Sequence, residues 1–572
     1  MIDSQTKICQ NCKQEFVIEP DDFAFYEKMK VPPPTWCPEC RMIRRMLWRN
    51  VAVWHRRKCD ATGKNILSMF APDMPYKVYE QEYWKSDAWD PLSYERNYDF
   101  SKTFFEQFRD LFVAVPHPNL IQKNVVDSEY ANFGINLKNC YFVAGSEVAE
   151  DSAYIFGPNI YSRECFDIHS TLNTERVYDS VGVEKSQGLR FSQNCVGCND
   201  SYLLYDCKNC MDCFGCVGLR NKQFYIFNQS YSREDYRAEL EKLAPWTYSG
   251  LVVARDKFNK LKLTVPRKFA SIIKSENVTG DEISNARDCI YCFDSKDNVQ
   301  NCKYCLGALH GAKDGYDATV AWKTAELFYE VMSTDAQRAI GTALIWGGFD
   351  IFYSFNCFDC NNIFGCIGLK NKSYCILNKQ FTKEEYESSL PKIITHMNEM
   401  SYVDKQGKIY KYGEFFPSEI SPFAYNETIA QDRFPKTKEE VLSMGLRWRD
   451  PENKKYEITL KNSEIPDDIR TISDSILKEV IECGHKGNCN DHCATAFRIV
   501  SQELSFLKKM NVPLPRLCPL CRQGERMRLR NPLCLWHRKC MKPGCPNEFE
   551  TPYSLDRPEI VYCEQCYNSE VA

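Results

Sequence analysis

Over residues 126–231 and again over 282–381, polar, small and aromatic positions recur on a beat of about twelve residues. A polar residue is followed by a small or apolar one and often by an aromatic. Tyr141, Tyr154, Phe166, Tyr178, Tyr202, Phe214 and Tyr225 mark this beat in the first half. Asp288, Asn301, Asp314, Glu326, Arg338, Asp350 and Asn362 carry it through the second, with Tyr316, Phe328, Phe352 and Phe364 in the aromatic slot. Self-similarity at a fixed period is the mark of a stacked repeat, and short apolar runs punctuated by Asn, Asp, Gly and Ser read as strands and turns. The expected fold is mainly β, a duplicated central β-solenoid of about twelve-residue repeats with helical spacers. A meander of hairpins would give the same beat, and periodicity does not separate one coil per repeat from two repeats per coil.

The two arrays are copies of each other. DCKNCMDCFGCVGLRNKQFYIFN from Asp206 and NCFDCNNIFGCIGLKNKSYCILN from Asn356 align without a gap at an offset of 150. Each array ends in a capping pair, Ser232 with Asp235 and Thr382 with Glu385, that opens an amphipathic helix. In the first of these helices Tyr236, Leu240 and Leu243 form the face to be buried. Such helices would cover the open end of each array. The expected boundaries are 126–231 and 282–381 for the arrays, with 232–281 a helical spacer and 382–480 a spacer and linker.

The ends repeat as well. WCPECRMIRRMLWRN at Trp36 to Asn50 returns as LCPLCRQGERMRLRN at Leu517 to Asn531, and an offset of 481 also pairs Cys12 with Cys493, Phe25 with Phe506 and Cys59 with Cys540. Two C-x2-C pairs can present four thiolates tetrahedrally to Zn2+. The candidate ligands are Cys9, Cys12, Cys37 and Cys40 in residues 1–58, and Cys489, Cys493, Cys518 and Cys521 in residues 481–572. Asn490 aligns with Cys9, so Cys483, His485 and His492 stand as alternatives to Cys489. Cys540, Cys545, Cys563 and Cys566 form a further module. Its counterpart in residues 59–125 is degenerate: Glu80 and Tyr83 replace Cys563 and Cys566, which leaves Cys59 as a buried thiol. Three zinc ions are expected.

The succession of C-x2-C, EF, FYEK and a Pro-rich approach to CPECR resembles the bacterial probable zinc-ribbon domain, over about the first and last tenths of the chain. The whole chain, including GEFFPSEISPFAYNETIAQDRFP at Gly413 to Pro435, is similar to long zinc-ribbon proteins of small-genome bacteria. The resemblance implies small, treble-clef-like zinc modules and a nucleic-acid role.

With 572 residues and 13% aromatics the chain exceeds one core. Its 31 cysteines, without an apolar signal segment or a membrane-length run, point to a reducing cytoplasm, where C-x2-C pairs mean metal more often than disulfide. The net charge of -4 hides basic ends: residues 37–58 carry seven Lys or Arg against Glu39 alone, and residues 516–542 carry eight against Glu525 alone. Arg41, Arg44, Arg45, Arg49, Arg56 and Arg57, interleaved with Trp48 and Trp54, suit phosphates and stacked bases, as do Arg522, Arg526, Arg528, Arg530 and Arg538 beside Trp536. The bland alternative is a solvated face, or one paired with the acidic centre. RNA is favoured over duplex DNA because no recognition helix or half-site symmetry is evident.

Within the repeats, Cys195, Cys198, Cys207 and Cys210 occupy matching positions, as do Cys289, Cys292, Cys302 and Cys305. Buried thiols are favoured there over further zinc, because strand residues three apart face opposite ways. The expected function is a noncatalytic zinc-binding scaffold that engages nucleic acid, RNA or the ribosome, through its basic ribbons. A structural or self-assembling protein is the alternative, and a solenoid enzyme acting on an extended polymer is the third reading. Against the enzyme, no nucleophile elbow, phosphate loop or HExxH pattern is present, and an all-thiolate site leaves zinc no open position.

Overall fold

The computed structural model describes residues 3–450 and 456–571. Its centre is built of strands that pair in parallel with the next segment of chain. In the first array Glu129 lies beside Tyr141, Phe166 beside Tyr178 and Lys208 beside Arg220. In the second, Leu306 lies beside Thr319, Phe328 beside Ala339 and Trp346 beside Phe358. Each rung therefore climbs eleven to thirteen residues onto the next. Tight hairpins join antiparallel strands only, so the meander expectation is excluded. An antiparallel return, Tyr225 against Ser230 and Cys375 against Gln380, closes each array.

A period of three sits inside the twelve. From Glu164 to Phe227 every third residue has a positive φ, as Asp167, Ser170, Asn173 and Arg176 illustrate. Bridges recur on the same count, joining Leu172 to Glu184, Glu175 to Gln187, Tyr178 to Arg190 and Val181 to Gln193. Each coil thus has four short sides meeting at left-handed corners, a closed four-sided parallel tube. A left-handed corner costs about 1–3 kcal/mol for a residue other than glycine, and Asn and Asp adopt it most readily. That preference explains the polar beat in the sequence. The corner side chains also stack: Asn139 Nδ2 donates to Asp151 Oδ1 at 2.6 Å, and Asn209 Nδ2 to Asn221 Oδ1 at 3.2 Å.

The residue after each corner points into the tube. Ile168, Val177, Val183, Leu189, Cys195, Cys198 and Leu204 are all fully buried in this way. A corner between Cys195 and Cys198 turns both inward, which overturns the expectation that residues three apart face opposite ways. The narrow lumen admits slender side chains, and polar ones where their hydrogen bonds are met. Ser186 Oγ donates to the Glu184 carbonyl at 2.8 Å and accepts the Cys198 amide at 3.0 Å. Cys207, Cys210, Cys213 and Cys216 occupy the four sides of one coil, and their thiols donate to backbone carbonyls at 3.3–3.5 Å. Cysteine serves here as a small hydrophobe with a weak donor.

The duplication reaches beyond the arrays. Helix Phe104–Ala114 leads into the first array and helix Tyr248–Thr264 into the second. Each lies against the array of the other copy: Phe104 packs on Phe364 at 5.1 Å between ring centres, and Arg255 pairs with Asp179 at 3.1 Å. The capped helices Arg233–Leu243 and Lys383–Glu399 follow the arrays, with Tyr236 and Tyr386 buried beneath them. Leu240 and Leu243 are half-buried. Among the described residues no helix is long and apolar enough to cross a membrane.

The corner rule yields a test at Asp200, an exposed left-handed position. Asp200→Val is expected to lower stability by about 1–3 kcal/mol, because a β-branched side chain is most strained there. Asp200→Asn is expected to be neutral. Urea unfolding followed by circular dichroism measures both.

Candidate metal centres

Three cysteine tetrads are built on one plan. In the N-terminal module the hairpin Gln5–Ile8 and Glu15–Ile18 carries Cys9 and Cys12 in its turn. Helix Pro38–Met46 brings Cys37 at its N-cap and Cys40 in its first turn, where the helix dipole favours thiolate. The four sulfurs lie within 4.8 Å of one another, with Cys12 and Cys37 at 3.7 Å. The Zn–S bond of about 2.3 Å implies tetrahedral edges of about 3.8 Å. A closed all-thiolate donor set of that size fits Zn2+.

The backbone N–H of Cys37 donates to Cys9 Sγ at 3.2 Å. The same bond recurs from Cys518 to Cys483 and from Cys563 to Cys540, each at 3.3 Å. Each tetrad holds at least one thiol below its ordinary range, and the Cys483 tetrad holds two, Cys483 and Cys493. Hydrogen bonds from Cys37 and Cys40 lower Cys9, and those from Cys483, Cys518 and Cys521 lower Cys493. At Cys563 burial opposes ionisation, yet hydrogen bonds from Cys566 and Asn547 bring the thiol down to about 6.

The C-terminal tetrad corrects the sequence expectation. It consists of Cys483, Cys493, Cys518 and Cys521, and Cys489 is not among them. Cys483 follows strand Ile481–Glu482 as Cys9 follows strand Gln5–Ile8. The turn of this hairpin is longer, so the offset of 481 that holds for Cys12 fails for Cys9. Cys489 belongs to a neighbouring group with His485, Asp491 and Cys521, its sulfur 3.6 Å from that of Cys521. His492 is directed elsewhere, toward the Asn426 carbonyl.

The last module gathers Cys540, Cys545, Cys563 and Cys566 beside the hairpin Trp536–Lys539 and Glu548–Thr551. Its degenerate counterpart keeps the hairpin, His55–Lys58 against Asn65–Ser68, and keeps the hydrogen bond from Glu80 N–H to Cys59 Sγ at 3.3 Å. Lys64, from the turn that carries Cys545 in the other copy, pairs with Glu80 at 3.1 Å. An ion pair thus ties the two strands of chain that a metal would tie in the C-terminal copy. The chain matches no protein-family model, and no curated protein is found to be similar to it.

The arginines that follow the second C-x2-C pair turn inward. Arg41 meets Asp317 at 2.9 Å, Arg45 meets Asp317 at 3.1 Å and Glu330 at 2.9 Å, and Arg44 meets Glu330 and Glu414 at 2.5 and 2.8 Å. In the C-terminal copy Arg522 meets Asp167 and Glu503 at 2.5 and 2.8 Å, and Arg526 meets Asp167 and Asp179 at 3.0 and 3.1 Å. Asp167, Asp179, Asp317 and Glu330 are all left-handed corners of the tubes. Burial pushes the Asp167 and Glu330 carboxyls up, and the facing guanidiniums oppose it.

Aromatic contacts repeat the pattern. Phe25 stacks on Tyr316 at 3.7 Å and Phe506 on Phe166 at 4.2 Å, while Arg41 lies over Tyr304 and Arg522 over Tyr154 at 5.3 and 4.6 Å. The N-terminal module therefore sits on the second array and the C-terminal module on the first. The ends cross.

The remaining arginines singled out for nucleic acid are also engaged internally. Arg49 donates to Ser333 and lies over Phe133, and Arg530 reaches Asp294 and His169. Arg57 bonds Asp60 and the Tyr76 carbonyl, and Arg538 bonds the Tyr553 and Ser554 carbonyls. Arg56 and Arg528 are exposed, with Tyr130 and Asp491 as partners. A basic nucleic-acid face made of all eleven is thus overturned for the buried members. Most of their acidic complement is far away in sequence, 272 residues for Arg45 and Asp317 and 355 for Arg522 and Asp167, where a local charge count does not reach it.

Two outcomes follow. Cys12→Ser is expected to lower bound metal by one ion per chain, and Cys59→Ser to leave it unchanged, by elemental mass spectrometry. Asp317→Ala, which strands the buried Arg41 guanidinium and leaves Arg45 with Glu330 alone, is expected to cost about 3–5 kcal/mol in urea unfolding.

Proposed function

We propose that this chain is a noncatalytic, zinc-stabilised binding scaffold in which two β-solenoids are clamped together by crossed zinc ribbons. The observation that carries this reading is the exchange of partners: the Cys9 module delivers buried arginines to the second array and the Cys483 module to the first. Metal binding supplies the folding free energy of such small modules, and four thiolates leave no position for chemistry at the ion. None of the 31 cysteines is paired in a disulfide, which suits a reducing compartment such as the cytoplasm.

Nucleic acid is a weaker part of the reading. The exposed arginines Arg56 and Arg528 are two of the eleven first singled out, so an electrostatic grip on RNA would rest on other surface. Protein isolated under reducing conditions is expected to carry at least one tightly held zinc per tetrad and to elute as a compact particle. Zinc-free yet compact protein would refute the reading. Titration of labelled single-stranded RNA in low and moderate salt tests the partner: the steep salt dependence of a phosphate grip should be absent from the ribbons, so Arg56→Ala with Arg528→Ala should change any affinity less than tenfold.

A further inference from the structure

The turn between Cys483 and Cys493 holds side chains that the N-terminal turn between Cys9 and Cys12 lacks. His485, Cys489 and Asp491 place their donor atoms within 4.8 Å of one another and of Cys521, which already belongs to the adjacent tetrad. The 3.6 Å between Cys489 and Cys521 matches an edge of a metal–thiolate tetrahedron, about 3.8 Å. His485 Nδ1 is buried without a hydrogen-bond partner. Asp491 is oriented by Arg528 at 2.9 and 3.0 Å. A Cβ at Gly524 would meet the Asp491 carboxylate at 2.4 Å, and the aligned residue of the N-terminal copy is Ile43. Glycine there makes room for the carboxylate.

We infer that the C-terminal module holds a second zinc ion, on His485, Cys489, Asp491 and Cys521, with the Cys521 thiolate bridging the two ions. Two Zn2+ against five thiolates and one carboxylate leave a net charge of -2, the same as one Zn2+ on four thiolates. The inference rests on zinc occupancy of the tetrads and adds one ion to it. Elemental and native mass spectrometry of the full chain should find four zinc ions. Cys489→Ser and His485→Ala should each hold three, with circular dichroism unchanged. A count of three in the parent chain, or of four in Cys489→Ser, would overturn the second ion. A parent chain with no zinc would instead defeat the tetrads themselves.

A different observation concerns the cleft between the two arrays. It encloses about 690 Å³ and is lined by apolar and aromatic side chains, Trp84, Trp322 and Trp346 among them, together with charged ones such as Lys85, Lys123, Glu147, Asp359 and Lys370. That volume suits a small-molecule site. Arg49 lines it, and the other copy shows what is missing. Arg530, the equivalent of Arg49, is neutralised by Asp294 and bonded by His169. The strand registers make Gly145 the equivalent of Asp294: Asp281 pairs with Phe293, just before Asp294, as Asn132 pairs with Ala144, just before Gly145, and Asp281 and Asn132 cap the equivalent amides of Ser271 and Ile121. His169 corresponds to Thr319 at the offset of 150.

Gly145 and Thr319 both line the cleft. Thr319 is fully buried and its Oγ1 has no hydrogen-bond partner; Asn356 Oδ1, also in the lining, has none either. Among the described residues no carboxylate pairs with Arg49. Burial without a counter-charge brings its guanidinium down to about 10.

We propose that this cleft binds a small molecule with an apolar or aromatic body and a carboxylate, and that Arg49 holds the carboxylate where Asp294 serves Arg530. Calorimetric titration of the full chain with octanoate, phenylacetate, phenyl phosphate and octanol tests this. The carboxylates should bind, and Arg49→Met should weaken them at least tenfold while leaving octanol unaffected. Thr319→Asp, which supplies a carboxylate from within, should abolish carboxylate binding with the metal content preserved, and stands as the test if Arg49→Met does not fold. The proposal fails if neither carboxylate binds, if both variants bind them as the parent does, or if phenyl phosphate binds more tightly than phenylacetate.

Discussion

Buried pairing between the ribbon arginines and the acidic corners of the tubes is the constraint on which the rest of the molecule depends. Arg41 and Arg45 share Asp317, and Arg522 and Arg526 share Asp167, all with side chains no more than 7% exposed. Ion pairs this dry contribute little net stability compared with apolar packing, because desolvation offsets attraction. Their effect is on specificity. A ribbon docked one rung out of register would bury guanidiniums against apolar or unpaired groups, at a cost of several kcal/mol. Tetrad, helix and corner act in series: the four cysteines gather at the start of helix Pro38–Met46, the helix aims its arginines, and the left-handed corner presents the carboxylate.

The crossed arrangement follows from duplication at two scales. The arrays repeat at 150 residues and the ends at 481, and the contacts between them repeat as well, Phe25 on Tyr316 matching Phe506 on Phe166. Where the copies have diverged, the divergence is chemical. The Lys64–Glu80 pair stands in for a thiolate site, and Gly145 stands where Asp294 neutralises an arginine. An approximate internal twofold thus makes each half a reference for the other.

Much of this was legible in the sequence. Spacing alone located the Cys9 and Cys540 tetrads, because ligand chemistry demands four close thiolates from paired motifs. The twelve-residue beat and the capping pairs at Ser232 and Thr382 were legible for the same reason: each is a local pattern with a local cause. The period of three was not, since left-handed corners are occupied by Phe191, Leu203 and Tyr154 as well as by Asn and Asp, and no residue type marks them all. Cys483 was hidden by the longer hairpin turn. Burial of the arginines was hidden by distance along the chain, for a basic run reads as a surface until its acidic complement is placed against it.

Hydrogen exchange at the docking corners, before and after zinc is stripped with a chelator, examines the chain of cause most directly. The account predicts that metal removal deprotects helix Pro38–Met46 together with the rung amides around Asp317 and Glu330, while the inner rungs from Cys195 to Cys216 stay protected. Full protection of that helix and those corners in metal-free protein would contradict it.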